Sequence, residues 1–189
     1  MIPSVNLPPI LTCRPRCPCA QDCYATKGHF RFKNVKGNLE SNYKLYLDDP
    51  QTYFTEIKHA INNGLVSYSY FRWHASGDFV DMPYFDGVVK VANELPFTSF
   101  LAFTKKFELV NEYISCGGII PDNLHIVFSA WGDYFKVDNP YHFPTAYVRF
   151  KNKENKTIPK NAVECSGDCT NCLKCWNINT GESVVFNKH

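Results

Sequence analysis

Between residues 67 and 129 the apolar positions switch repeatedly between two periods. Residues 67–74, Ser-Tyr-Ser-Tyr-Phe-Arg-Trp-His, form a short aromatic run with the composition of a strand. Asp81 stands where a helix N-cap belongs, with Pro83 in the first turn. Behind it Tyr84, Phe85, Val88, Val89, Ala92 and Leu95 share one helical face. A second strand follows at 97–103. Thr104 is placed to cap a helix running to about Tyr113, and Gly117-Gly118 ends it. Residues 124–129, Leu-His-Ile-Val-Phe-Ser, are a third strand. Strand, helix, strand, helix, strand is the rhythm of βαβ units and predicts parallel strands with right-handed crossovers.

The flanking segments are read by the same rules. Pro3, Pro8, Pro9, Pro15 and Pro18 make residues 1–22 irregular, because proline breaks helices and cannot donate within a sheet. A short helix is expected from Cys23-Tyr24-Ala25 to Gly28. Residues 38–63 read as one or two helices interrupted near Asp48-Asp49-Pro50, with Tyr53, Phe54, Ile57, Ala60 and Ile61 at helical spacing and Asn62-Asn63-Gly64 as the stop. Residues 132–144 form an aromatic loop and 145–150 a fourth strand. Lys151 to Lys160 is a polar turn, and Ser183 to Phe186 a short edge strand. The expected fold is α/β. It is one domain over 1–189 whose parallel sheet of about four to five strands forms a partial barrel or an open sheet.

Composition narrows the picture mainly by exclusion. A net charge of +2 gives no bulk electrostatic case for nucleic-acid binding, and no apolar run is long enough to span a bilayer. Residues 1–12 lack the charged start and apolar centre of a secretory signal. Without export, nine cysteines read as thiols or metal ligands rather than disulfides.

Eight of those cysteines fall in two groups, one in each terminal loop (1–23 and 161–176). Cys165, Cys169, Cys172 and Cys175 follow C-x3-C-x2-C-x2-C through a turn rich in Gly, Asp and Asn, so the chain can double back and bring the thiolates to one metal centre. Thiolates favour soft metals, and such tight packing favours an iron–sulfur cluster of the 4Fe-4S type, with zinc as the alternative. Cys13, Cys17, Cys19 and Cys23 form the second group, as further metal ligands. Within it Cys19 and Cys23 read as more useful than Cys17, because ligands one residue apart rarely share a closed tetrahedral site. Cys116 stands alone at a helix end and reads as structural.

Ligands in parallel α/β folds bind at the carboxyl ends of the strands. Here those ends carry Arg72, His74, Ser76 and Asp78, then Thr104 and Lys105, then Ser129. Alternation places Arg72 and His74 on one side of their strand. Candidate catalytic residues are therefore His74 and Asp78 for proton transfer, Arg72 and Lys105 for holding an anion, and Ser76 beside them. Any one of these is equally well explained as a turn or core residue; the set is what argues for a site.

Thr12-Cys13, Cys19 through Cys23-Tyr24-Ala25, Phe71-Arg72-Trp73-His74-Ala75-Ser76-Gly77-Asp78-Phe79, Phe103-Thr104-Lys105 and Cys165 through Cys175-Trp176 resemble, in order, the gene product 88 proteins of phages and mobile elements. The resemblance implies a phage origin and a host-cytoplasmic setting, and no established reaction. A looser likeness is to radical S-adenosylmethionine enzymes, through the C-x3-C-x2-C spacing of Cys165, Cys169 and Cys172. It would bring S-adenosylmethionine as a cofactor. Yet that loop lies at the opposite end of the chain, and Cys175 adds a fourth thiol.

Two functions follow as expectations. One is an iron–sulfur protein with a polar pocket at the strand ends, redox-active or enzymatic. The other is a binding protein stapled by structural zinc, acting on a host protein or nucleic acid through aromatic residues such as Trp131, Tyr134, Tyr141 and Phe143.

Overall fold

The structure is a computed structural model that describes residues 2–63, 69–151 and 154–188. Seven parallel strands form one open sheet in the order β1-β2-β3-β4-β5-β7-β6. They are β1 Ser4–Val5, β2 Tyr70–Trp73, β3 Ser99–Thr104, β4 Leu124–Ser129, β5 Thr145–Arg149, β6 Val163–Glu164 and β7 Ser183–Asn187. The βαβ rhythm of the centre is realised, in a sheet wider than the four to five strands expected. The extra strands, β1 and β6, have two residues each, too short to leave a periodic pattern in the sequence. β1 lies within the proline-rich start because its partner, β2, reaches it between prolines: Arg72 N–H bonds Pro3 O and His74 N–H bonds Val5 O, both at 3.0 Å. The strand expected at the edge near Ser183 is interior, paired with β5 on one side and β6 on the other. The first residues of the 67–74 run, and Gly64, lie outside the described residues.

The helices are α1 Lys33–Asp48, α2 Pro50–Asn62, α3 Met82–Glu94, α4 Phe107–Ser115 and a single turn, α5, Cys169–Cys172. The break at Asp49 is a start signal: its carboxylate accepts Thr52 N–H at 3.0 Å, with Pro50 in the first turn. Asp81 does the same for α3 through Tyr84 N–H at 2.8 Å. Thr104 is not the cap of α4, which begins three residues later with Lys106 at the cap position; its hydroxyl accepts Lys106 N–H and donates to Asp78. The helix expected after Cys23 is two short 3-10 turns, Tyr24–Thr26 and Gly28–Arg31.

Because consecutive strands step across the sheet in one direction, right-handed crossovers put α3 and α4 on the same face. There Trp73, Phe79, Tyr84, Phe85, Val88, Phe100, Phe107 and Phe128 pack with α2 residues Tyr53 and Ile57. The opposite face is left without a long helix. It is covered by the C-terminal tail, whose Trp176 and Ile178 pack on Leu101, Val127, Ala146 and Val184.

Candidate functional site

Parallel pairing brings the carboxyl ends of β1 to β4 to one edge, and both cysteine groups emerge there or run beneath it. The chain leaving β1 is stitched to the loop after β2. Leu7 N–H bonds Ser76 O at 2.9 Å, Ser76 hydroxyl bonds Leu7 O at 3.0 Å, and Asn6 Oδ1 accepts Ser76 N–H at 3.1 Å. Thr12 hydroxyl donates to Pro8 O and accepts Asp78 N–H. Gly77 permits this close approach: at φ +86°, an added Cβ would sit 2.7 Å from Thr12 Oγ1 and 2.9 Å from Leu7 O. Ser76 is thus a fastening residue, not one lining an open pocket.

Asp78 anchors the same junction. Its carboxylate accepts the Thr104 hydroxyl at 2.7 Å, Phe79 N–H at 2.8 Å and Lys105 N–H at 3.0 Å. Burial raises its pKa, and those donors pull it back down. Lys105 Nζ turns to Ser129 Oγ at 2.8 Å and lies over the Trp131 ring.

His74 departs from the expected alternation. Its φ of +59° turns the side chain away from the face that holds Arg72. It is 3 % exposed, with Nε2 at 2.9 Å from the Tyr84 hydroxyl and rings of Trp73 and Phe79 around it. Burial first, then the Arg72 and Lys106 charges, lower its pKa to about 3. In the unfolded chain it titrates near the ordinary value of about 6.5. Unfolding therefore takes up a proton between these values, and stability falls as pH drops below about 6.5, by about 1.4 kcal/mol per unit. His74→Asn, which tolerates the positive φ, is expected to flatten that slope by one proton; urea titrations at pH 7 and pH 4.5 measure it.

All nine cysteines are free. In the N-terminal group Cys17 and Cys19 have sulfurs 3.4 Å apart. Hydrogen bonds from the Cys13 and Cys19 thiols hold Cys17 well below the usual thiol range, with Lys105 adding to this, while the same bonds and burial raise Cys13 and Cys19. Cys17, read from the sequence as less useful than Cys19 and Cys23, is the centre of the group. A separation of one residue leaves the two sulfurs adjacent once the chain turns through Cys19 into the 3-10 turn Ala20–Asp22. Cys23 lies farther along the turn. Lys188 Nζ, from the end of the chain, pairs with Asp22 at 2.8 Å.

The C-terminal group begins as the chain leaves β6, where Cys165 N–H bonds Val185 O at 2.9 Å. Asp168 caps the α5 turn, and Leu173, at φ +48°, ends it and redirects the chain to Trp176. Burial pushes the Cys175 thiol up to about 12, with the charges of Cys165, Cys169 and Cys172 adding to it, so the four thiols share one locality. Cys165 and Cys175 are half-buried and Cys169 and Cys172 exposed. Among the described residues no group of three or more His, Cys, Asp or Glu side chains is disposed to hold a metal ion as it stands. Four thiols on a short loop, with a guanidinium near them, are donors of the type soft metals favour.

That guanidinium is Arg72, which acts on both Cys169 and Cys175. Its Cζ lies 5.2 Å from the Phe103 ring centroid on the tail-covered face. A cleft of about 270 Å³ opens beside it, lined by Ser4, Arg72, Asp168, Cys169, Thr170 and Trp176, among others. Arg72 and Lys105, expected to hold one anion together, thus face different surroundings. Tyr24, beside the N-terminal cysteines, donates its hydroxyl to Ala75 O, at the rim of the same cleft.

The gene product 88 family model matches residues 1–178. The chain belongs to the gene product 88 family. The matched span holds all nine cysteines, the strand-end residues and Trp176, and stops before β7. Membership supports the expected phage origin. No curated protein and no solved structure matches the chain. The likeness to radical S-adenosylmethionine enzymes therefore has no support from any of these matches. Sequence reasoning missed two members of the site. Thr12 and Tyr24 stand in segments the gene product 88 resemblance includes, but only the close approach of β1 and β2 gives them contacts at the strand ends.

Proposed function

We propose that this gene product 88 protein is a phage-encoded iron–sulfur protein working in the host cytoplasm, redox-active or enzymatic. Cys165, Cys169, Cys172 and Cys175 would hold a 4Fe-4S cluster, which supplies electron transfer when bound. The observation that carries this reading is the gathering of those four thiols beside Arg72, under an otherwise open sheet face. Cys13, Cys17, Cys19 and Cys23 would form a second thiol group at the strand tips beside Lys105. No helix among the described residues is long and apolar enough to cross a membrane.

One observation favours zinc at the second group. Two thiolates on one tetrahedral zinc, at Zn–S bonds of about 2.3 Å, are about 3.8 Å apart. Cys17 and Cys19, at 3.4 Å, already approach that spacing. Under this second reading the protein is a metal-stapled binder of a host protein or nucleic acid.

Metal and sulfide analysis of anaerobically purified protein separates them. The expected result is a brown protein with about four irons and four acid-labile sulfides per cluster. Both are expected to be lost when Cys165, Cys169, Cys172 and Cys175 are changed together to serine, and kept when Cys13, Cys17 and Cys19 are changed. Zinc without sulfide in the wild-type protein overturns the iron–sulfur reading.

A further inference from the structure

Cys17 and Cys19 are presented by a tight turn. Ala20 N–H bonds Cys17 O at 3.0 Å and closes a β-turn over Cys17-Pro18-Cys19-Ala20. Pro18 takes the second position, which suits its fixed φ. Cys19, at φ −94° and ψ 2°, has the backbone of the third position of a type I turn. This turn brings the two sulfurs to 3.4 Å. Two thiolates sharing a zinc ion stand farther apart, at about 3.8 Å. The observed separation fits one thiol hydrogen-bonded to the other. Cys13 also hydrogen-bonds Cys17. Cys17 and Cys19 are both partly exposed, so a reagent in solution can reach them. The positive charge of Lys105 acts on both sulfurs. Reactive thiols, unlike structural ones, sit in partly exposed, electropositive surroundings of this kind.

We propose that Cys17-Pro18-Cys19 is a thiol–disulfide exchange site whose substrate is a disulfide bond. The Cys17 sulfur attacks one sulfur of the substrate. A bond forms between them, the substrate S–S bond breaks, and the second substrate sulfur leaves with the proton that Cys17 gives up. The Cys19 sulfur then attacks Cys17. The Cys17–Cys19 bond forms, and the first substrate sulfur leaves with the Cys19 proton. Two electrons pass to the substrate: its disulfide becomes two thiols as the cysteine pair becomes a disulfide. The second step needs little backbone movement, because the turn already holds the sulfurs in contact. Low-molecular-weight thiols restore the pair, since exposed disulfides are readily reduced. The site is separate from Cys165, Cys169, Cys172 and Cys175, so it stands independently of the iron–sulfur reading. It is an alternative to zinc at Cys17 and Cys19.

The test mixes the full chain, purified anaerobically and freed of reductant, with oxidised glutathione and separately with insulin. The reaction is stopped with acid, and the remaining thiols are located by alkylation and peptide mass. Cys17 and Cys19 are expected to become one intramolecular disulfide. They should react at least about tenfold faster than Cys116, an exposed thiol outside both groups. Reaction with glutathione alone assigns small disulfides as the substrate class, and reaction with insulin assigns protein disulfides. Changing Cys13→Ser and Cys19→Ser together removes both thiols that touch Cys17, and is expected to trap a Cys17–glutathione adduct. Cys17→Ser is expected to slow the loss of the Cys19 thiol at least about tenfold. If a variant does not fold, the map of reacted thiols in the wild-type protein still decides. The proposal is overturned if neither disulfide oxidises the pair, if Cys17 and Cys19 react no faster than Cys116, or if zinc leaves the protein in step with the reaction. Iron and sulfide content, measured on the same samples, reports separately on the C-terminal thiols.

Discussion

Asp78→Ala is expected to destabilise the protein by about 3–5 kcal/mol, measured as a fall in the urea unfolding midpoint. Three donors converge on this one buried carboxylate: the Thr104 hydroxyl and the N–H groups of Phe79 and Lys105. Alanine would strand all three where little water reaches, and each unpaired donor costs about 1–3 kcal/mol. The loss would also loosen the junction where the chain from β1 meets the loop after β2, because Asp78 N–H is held by Thr12. Asp78→Asn is expected to recover part of the loss. Its amide oxygen can serve Thr104 and Phe79, but its NH2 would face the Lys105 N–H, donor against donor. An effect of Asp78→Ala below about 1 kcal/mol would show the carboxylate to be a dispensable strut. The proton-handling role expected from the sequence would then become the better account of its burial.

Trp176→Ala is expected to cost about 3–5 kcal/mol, and to do so with metal bound or stripped. The indole is 2 % exposed and closes the tail-covered face of the sheet over Leu101, Val127 and Val184. Removing it leaves a large cavity in a layer with no second helix to collapse inward. The comparison of metal-loaded and metal-stripped protein carries the information. If cysteine–metal bonds were the chief anchor of the tail, loaded Trp176→Ala would be nearly as stable as wild type, and chelation would release the tail. The packing of Trp176 and Ile178 argues that hydrocarbon burial holds the tail and the thiols ride upon it. Limited proteolysis near residues 165–175, with and without chelator, reads this directly.

The consequence for function is that the four thiols do not have to build their own scaffold. On the proposed reading, a metal held on this preformed surface could be lost or exchanged without unfolding the domain, unlike a zinc finger, whose metal supplies its folding energy.

The central fold was legible because its signals are local. Asp81, Pro83 and the apolar face from Tyr84 to Leu95 mark α3 with no help from the rest of the chain, and residues 124–129 coincide with β4. The strand-end location of Arg72, Asp78 and Lys105 followed from parallel pairing. The orientation of His74 did not: one residue with positive φ reverses which face it meets, and periodicity is blind to a single dihedral. The closeness of Cys17 to Cys19 was not legible for a related reason. Spacing rules describe metal sites already closed, not two sulfurs brought together by a turn.

By itself, the sequence determined the α/β alternation, the helix starts at Asp49 and Asp81, the thiol-rich character of both terminal loops and the family motifs that run through them. Each of these is set by side chains within a few residues of one another. Only the tertiary structure decided that β7 is interior, that the tail roofs the helix-free face, that Asp78 is a buried knot and that Arg72 and Trp176 share a cleft. Those facts depend on segments far apart in the chain meeting across the sheet, and contact at that range is fixed by how surfaces fill space, which no short window of residues records.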